Sequence, residues 1–346
     1  MLILQRRDGD YLAQLGDGIE VEELRRKRPP FCVAELAGIL RNRRIDLLYT
    51  VTNATNIYAV AAARLARAGV RVVIGEHTPL SFSLTEAKLR PLRRAGMRFA
   101  YPRASLAVAP LEQIGQELRA FLGPAAPPFR CLPNPVVDVL APPRSQPGVA
   151  LRIVSVGRLV PVKRFDLLIE AFATFRARHP GAALVLYGDG SERAALQRAA
   201  ETLGVADAVT FAGYVDDIAS RLRDADLFVC TSAREGFGNA IVEAMAAGVP
   251  VVSVDCPFGP AILLCGGEAG RLVPETNAAA VAEAMAAVAG DAELRARYVH
   301  AGRNVAANFT VDRSIAAYTD TFLEISGHAR APAALGSGTT TEPALS

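Results

Sequence analysis

Short apolar runs alternate with longer amphipathic segments along most of this chain, and that alternation restricts the fold more than any other feature. In the second half, "LRIVSVG", "AALVLYG", "AVTFAG", "DADLFVCTS" and "VPVVSVD" each have the length and apolar continuity of a buried strand. A helix-like stretch follows each one. The first half keeps the same rhythm, with "IDLLYTVT" and "VRVVIGEH" flanking a helix over "NIYAVAAARLARAG". Such alternation predicts parallel sheets covered by helices, an α/β fold. In "KRFDLLIEAFATFRARH" the spacing puts Phe165, Leu168, Ile169 and Phe172 on one helix face, and Ser191 is placed to cap the helix of "SERAALQRAAETLG". Three further helices are expected over "NAAAVAEAMAAVAG", "AELRARYVHAGRNVAANF" and "VDRSIAAYTDTFLEIS".

The 346 residues are enough for two domains. Proline is dense in "GPAAPPFRCLPNP" and "APPRSQPG", which ends regular structure between about 124 and 150. The expected division is an α/β domain over 1–133, a Pro-rich linker over 134–150 and a second α/β domain over 151–310. A closing helix over 311–329 and a disordered tail over 330–346 complete it. A cleft between two such domains is the default ligand site.

Composition removes several function classes. No stretch reaches eighteen apolar residues without a charge, so a spanning helix is not expected. The opening "MLILQRRDGDYLAQL" lacks the basic-then-apolar order of a signal peptide. Five cysteines without a C-x-x-C pair and four scattered histidines argue against a disulfide framework or a metal site, and point to a reducing cytoplasm. Residues 1–140 hold 20 Lys+Arg against 13 Asp+Glu, a balance of +7, and the remainder holds 18 against 22, a balance of −4. Basic clusters at "RRKR" (25–28), "RNRR" (41–44) and "KLRPLRRAGMRFAYPR" form either a solvated face or a surface that attracts anionic lipid or a phosphate-bearing substrate. No nucleic-acid module accompanies them, so nucleic acid is not an expected partner.

The chemistry gathers at the strand-to-helix junctions. No G-x-G-x-x-G follows an opening strand and no G-x-x-x-x-G-K-[ST] occurs. Instead "VGRLVPVK", "YGDGSE", "FAGYVDD" and "SAREGFGN" leave successive strands, and in an open α/β sheet the carboxyl ends of the strands are where ligands bind. Gly157, Gly188 and Asp189 lie in these loops. Arg158 and Lys163 offer the cations a diphosphate needs, although a basic pair on a loop is more often plain surface. Gly236, Phe237, Gly238 and Asn239 open a helix whose N–H groups suit an anion. Glu243, further along that helix, can accept from a ribose diol, and Glu235 can reach a sugar hydroxyl or a developing positive charge. His77 ends a first-half strand; a lone histidine is commonly structural.

The segments "TSAREGFGNAIVEAMAAGVPVVSVDCPFGP", "VSVGRLVPVKRFDLLIEAF" and "LVLYGDGSERAAL", with "LPNPVV" at the domain junction, resemble the retaining glycosyltransferases of family 4. The likeness runs from about Asn134 to Leu272. It implies the GT-B fold, two Rossmann-like domains facing a cleft. It also implies metal-independent transfer of a sugar, with retained configuration, from a nucleotide diphosphate sugar. By that resemblance Arg158 and Lys163 hold the diphosphate, Glu243 the ribose, and Glu235 with the amides of Phe237, Gly238 and Asn239 the sugar and phosphate. His77 is assigned to sugar contact. The stretch around "DCPFGP" resembles relatives that use UDP-sugars. A polysaccharide or lipid-linked acceptor at the cytoplasmic membrane face fits the basic first half, as does peripheral contact with anionic lipid. No cofactor is expected.

Three positions depart from the pattern. The family's opening strand and glycine-rich loop have no counterpart, which predicts an exposed strand edge or apolar face. Ile262 stands where many relatives carry a glutamate near the sugar. Pro110 and Leu111 replace a helix-capping serine, which predicts a loss of about 1 kcal/mol locally. The alternative reading is a truncated, catalytically silent nucleotide-binding relative; a nucleotide-sugar epimerase would need more acid–base residues than His77.

Overall fold

The computed structural model describes residues 2–4, 15–25, 31–85, 89–142, 151–274 and 276–328. Two short strands, β1 (Leu2–Leu4) and β2 (Val21–Glu23), form a parallel pair of their own. The first domain continues with α1 (Phe31–Asn42), β3 (Leu47–Val51), α2 (Asn53–Ala66), β4 (Arg71–Gly75) and α3 (Leu80–Ser83). Then come α4 (Arg90–Ala100), β5 (Leu106–Ala109), α5 (Glu112–Leu122) and β6 (Phe129–Cys131). Its sheet is parallel, in the order β3-β4-β5-β6. Among the described residues β3 is therefore a sheet edge, with Val51 exposed at its end.

The second domain runs through β7 (Arg152–Val156), α6 (Phe165–Arg178), β8 (Ala183–Tyr187), α7 (Arg193–Thr202), β9 (Val209–Gly213), α8 (Ile218–Arg223) and β10 (Leu227–Cys230). It continues with α9 (Asn239–Ala246), β11 (Val251–Val254), α10 (Gly259–Leu263), β12 (Arg271–Val273), α11 (Ala278–Gly290) and α12 (Ala292–Ala306), and the chain closes with α13 (Val311–Ser326). Its six parallel strands lie in the order β12-β11-β10-β7-β8-β9. Chain order reverses between β7 and β10. The helices that follow those two strands, α6 and α9, pack into different core clusters, and the carboxyl ends of strands at such a reversal are where open α/β sheets bind ligands.

The core forms where the patterning requires it. "LFVC" of β10 and "VVSV" of β11 are buried at every position, as expected of parallel strands covered on both faces. Phe165, Leu168, Ile169 and Phe172 of α6 are buried as the spacing predicts. Leu167, Ala171 and Phe175 are buried too, because α11 packs on α6 beside the sheet.

Local expectations needed correction at three points. Helix α2 begins at Asn53, earlier than its apolar pattern implies. Ser191 does not cap α7: the helix starts at Arg193, Glu192 holds the cap position and no side chain bonds there. The proline-dense interval starts before the first sheet is finished, since Phe129–Cys131 pairs with β5 as β6. Proline occupies the turns on either side of that strand rather than a continuous linker. Residues 143–150 and the tail over 330–346 lie outside the described residues.

Two crossings join the domains side by side. The Val136 and Val137 amides donate to the Phe309 carbonyl at 3.1 and 3.0 Å, and Val311 N–H returns a bond to Val137 O at 2.9 Å. Beyond that point α13 crosses back to the first sheet. Tyr318 and Phe322 pack on Tyr49, with ring centroids 5.8 and 5.2 Å away, and join Val73, Leu106, Val108 and Leu132 in one apolar cluster. Arg130 of β6 bonds Thr321 at 3.0 Å and pairs with Glu324 at 2.9 Å. The closing helix is thus part of the first domain's core. Phe322→Ala should cost about 2 kcal/mol, below the range for fully buried aromatics because Phe322 is only partly buried. Hydrogen exchange should accelerate in β3–β5, more than two hundred residues earlier in the chain, rather than in β7–β12; acceleration confined to the second sheet would contradict the packing.

Candidate active site

The loops leaving β7 and β10 are locked together at the switch point. Ala233 N–H donates to Val162 O at 2.9 Å, and Thr231 Oγ1 donates to Lys163 O and Arg164 O at 3.2 and 2.8 Å. This lacing brings Lys163 against Glu235, with Nζ 2.6 Å from Oε1. The same oxygen accepts from Ser232 Oγ at 2.7 Å, and the Cys230 thiol lies 3.8 Å away. Both members of the pair are largely buried, at 23% and 12% side-chain exposure, so removing either one would leave an uncompensated charge. Arg158 is exposed, and no carboxylate pairs with it among the described residues.

Gly157 and Gly188 meet backbone to backbone. Gly188 has φ +123°, and a Cβ on it would lie 2.1 Å from the Gly157 carbonyl oxygen, so no other residue fits. Asp189 occupies the same corner, but its carboxylate accepts from Gly190 N–H at 2.7 Å and from Arg193 at 3.1 Å. It shapes the turn that carries Arg158, with Leu159 N–H bonded to Asp189 O at 2.9 Å.

Glu235, Gly236, Phe237 and Gly238 lead into α9. The Phe237 ring is buried against Phe309, 5.0 Å away, which leaves its backbone to the turn. Gly238 is the N-cap in a left-handed conformation and no side chain caps the helix. Ile241 N–H already donates to Gly238 O at 2.9 Å, so the first-turn groups of α9 open to a ligand are the Asn239 and Ala240 N–H. Glu243, one turn further on, is half-buried, and burial pushes its pKa up from 4.5. It borders a cavity of about 380 Å³ with Asp216 and Asp217 of the loop into α8, Ile218 at the start of that helix, and Val137 and Ala141 of the junction.

The first domain closes over this turn. A Cβ on Gly236 would be 2.7 Å from the His77 carbonyl oxygen, so glycine is what permits the approach. Phe82 of α3 packs edge-on against Phe258 at 5.3 Å and carries the Arg234 guanidinium over its ring at 5.0 Å. Leu111 has no capping bond to offer α5, as predicted, yet it is buried with Ala109 and Ile114 in a cluster that includes Val137, Phe237 and Ile241. The residue that forfeits the cap helps join the domains. Ile262 is 38% exposed on α10. His77 faces the cleft half-buried, with Nε2 3.3 Å from the Tyr49 hydroxyl; burial lowers its pKa below 6.5 while a bond to Asn134 acts the other way. Lys163, Glu235, Gly236 and the His77 backbone thus meet at the turn before α9, while Glu243 borders a cavity lined by other residues and Asp189 is spent on its own turn.

Residues 145–305 match the family model for glycosyl transferases group 1, and residues 8–140 match that for Glycosyltransferase Family 4. Both domains thus match glycosyltransferase family models, and their architecture is GT-B. HepE of Anabaena, crystallised with UDP, superposes with a TM-score of 0.73 at 22% identity, over 88% of this chain and 86% of that one. An exopolysaccharide phosphotransferase of Streptomyces coelicolor is 31% identical over 84% of this chain and 30% of its own length. The lipopolysaccharide core biosynthesis glycosyltransferase LpsE of Rhizobium meliloti is 38% identical over 52% of this chain and 50% of its own length. The chain therefore spans about a third to a half of these curated relatives.

One buried polar cluster of this GT-B chain escaped the sequence reading. Glu76, next to His77, is 3% exposed and accepts from Asn56 Nδ2 at 3.1 Å and from the Tyr101 hydroxyl. Arg93, bonded to Asn53, lies nearby. A glutamate at a strand end reads as surface; the one available signal was its place directly after the apolar run "RVVIG". Burial pushes Glu76 from 4.5 up to about 7, against the opposing pull of Tyr101, Asn56 and Arg93. The folded chain then keeps a proton that the unfolded chain releases between about pH 4.5 and 7. This group's contribution is complete below 4.5 and lost as pH rises through 7, at a cost of up to about 3 kcal/mol. Glu76→Gln should keep both acceptor contacts and flatten the fall in stability between pH 5 and 8, read from denaturant titrations; parallel pH profiles would refute a protonated Glu76.

Proposed function

We propose that this protein is a retaining, metal-independent glycosyltransferase that moves a sugar from a UDP-sugar to a polysaccharide or lipid-linked acceptor at the cytoplasmic membrane face. The observation that carries the reading is the Lys163–Glu235 pair at the switch point, set beside the start of α9, which no side chain caps, and Arg158, with which no carboxylate among the described residues pairs. When the sugar–phosphate bond breaks, the diphosphate leaves with the electron pair. Fixed cations and helix N–H groups aimed at that oxygen offset the charge without reorganising at the moment of reaction. Lys163 is already oriented by Glu235, and Glu235 Oε2 is left to address the sugar. Glu243 bordering the cavity suits a ribose diol. The complex of HepE with UDP and the polysaccharide-related names of the curated relatives support the donor and acceptor classes.

Calorimetric titration with UDP, GDP and ADP tests the donor side. UDP should bind in the micromolar range, and Arg158→Ala/Lys163→Ala should abolish it, each cation being worth about 1.5–3 kcal/mol as a charged hydrogen-bond partner. Glu243→Ala should weaken it. Tight UDP binding by the double variant would exclude this diphosphate site.

The membrane assignment is supported by α4, which has Arg90, Arg94 and Arg98 in one row. No carboxylate pairs with these three among the described residues, and Arg94 and Arg98 lie over the Phe121 ring. Leu89, Leu92 and Phe99 are 64%, 67% and 61% exposed beside them. Apolar side chains among cations fit an anionic lipid surface. No helix among the described residues is long and apolar enough to cross a membrane. Arg90→Glu/Arg94→Glu/Arg98→Glu should abolish sedimentation with vesicles containing phosphatidylglycerol while leaving UDP binding unchanged; undiminished sedimentation would remove α4 from the contact.

A further inference from the structure

We propose that Phe82 of α3 is a positioning residue: lodged between Arg234 and Phe258, it makes the order of the turn before α9 depend on how the first domain sits. The inference rests on reading that turn as the donor site.

Helix α3 is held by one face and reaches across the cleft with the other. Leu80 and Leu84, four residues apart, are buried in the first domain's core. The Ser81 amide donates to Glu117 Oε2 of α5 at 3.2 Å, which ties the helix down beside them. Phe82, midway between the two leucines, leaves its own domain. Its ring meets that of Phe258 edge-on at 5.3 Å, and the Arg234 guanidinium lies over it at 5.0 Å. An edge-on ring pair and a cation over an aromatic face are both attractive geometries.

Both groups that grip Phe82 are joined to Glu235. Arg234 precedes it in the chain, and Phe258 pairs with it backbone to backbone in an isolated parallel bridge. The two turns are locked again one residue on, where a Cβ on Gly259 would lie 1.8 Å from the Phe237 carbonyl oxygen. Phe258 has φ +77° and ψ −110°, a conformation that residues with side chains rarely adopt and that persists only where the surroundings hold it. The bridge to Glu235 holds its backbone, and Phe82 holds its ring. Displacing Phe82 therefore acts on Glu235 from two sides, and through Glu235 on Lys163, whose Nζ is 2.6 Å from Oε1. The His77 carbonyl presses on Gly236 from the same segment of the first domain, so His77 and Phe82 bracket the turn. Phe82 is not among the groups assigned to the diphosphate, so its effect on a nucleotide has to travel through the turn.

The test joins hydrogen exchange to UDP calorimetry on the full chain. Phe82→Ala should accelerate exchange in the second-domain segments 234–240 and 256–263, while β3–β6 of its own domain keep the parent rate. UDP binding should weaken about tenfold, the combined scale of one aromatic pair and one cation–π contact. Phe82→Tyr keeps the ring and should keep both parent readouts. Phe82→Leu keeps apolar bulk without an aromatic face and should behave as the alanine variant does. A merely structural role would loosen β3–β6 and spare the second-domain turns. That pattern, or UDP affinity in Phe82→Ala within twofold of the parent, would overturn the proposal. If the parent chain binds no UDP, the donor reading fails, and the exchange comparison alone decides whether Phe82 orders the turn.

Discussion

Backbone meets backbone at the rim of the cleft, and the remaining site geometry depends on it. The Gly188 and Gly157 strand ends touch with no room for a side chain, and Gly236 rests against the His77 carbonyl across the domain boundary. The first contact fixes the turn that presents Arg158; the second fixes how far the first domain can descend on the turn before α9. Side chains then occupy positions the backbone has already set. Lys163 and Glu235 pair because their parent loops are hydrogen-bonded to each other, and the pair in turn holds both loops at the carboxyl ends of β7 and β10.

Charge is distributed unequally over this frame. Glu235 has a cation and a hydroxyl on one oxygen, whereas Glu243 and Glu76 are carboxyls that burial pushes toward the protonated form. A carboxyl beside a cavity and one sealed inside the first domain respond to burial alike but serve different ends. Glu243 has space in front of it for a ligand's hydroxyls. Glu76 has none, and its acceptor oxygen ties α2 to the segment after α4 directly beneath His77.

Much of this was legible in the residues. Apolar runs of strand length gave the alternation, and the small-residue turn at "REGFGN" pointed to the candidate site, because both depend on local chemistry that leaves its mark at fixed spacing. The β6 strand was obscured by its neighbours: three residues between prolines carry too little pattern, and only pairing with β5 makes them a strand. Ser191 was misjudged because capping is decided by where the helix is forced to begin. Leu111 looked like a simple loss for the same kind of reason, its compensation being apolar contacts from residues more than a hundred positions away. Glu76 was hidden by the general rule that glutamate is solvated.

The return of α13 to the first sheet has a consequence for how the molecule is made. Strands β3 to β6 leave the ribosome early, but the helix that covers one face of their sheet is encoded roughly 190 residues later. At about 5–20 residues per second, that face waits on the order of 10–40 s for its own cover while the whole second domain is synthesised. The first domain to emerge is the last to be completed. During that interval Val73, Leu106 and Val108 are an adhesive surface, and vectorial synthesis leaves their protection to whatever binds nascent chains.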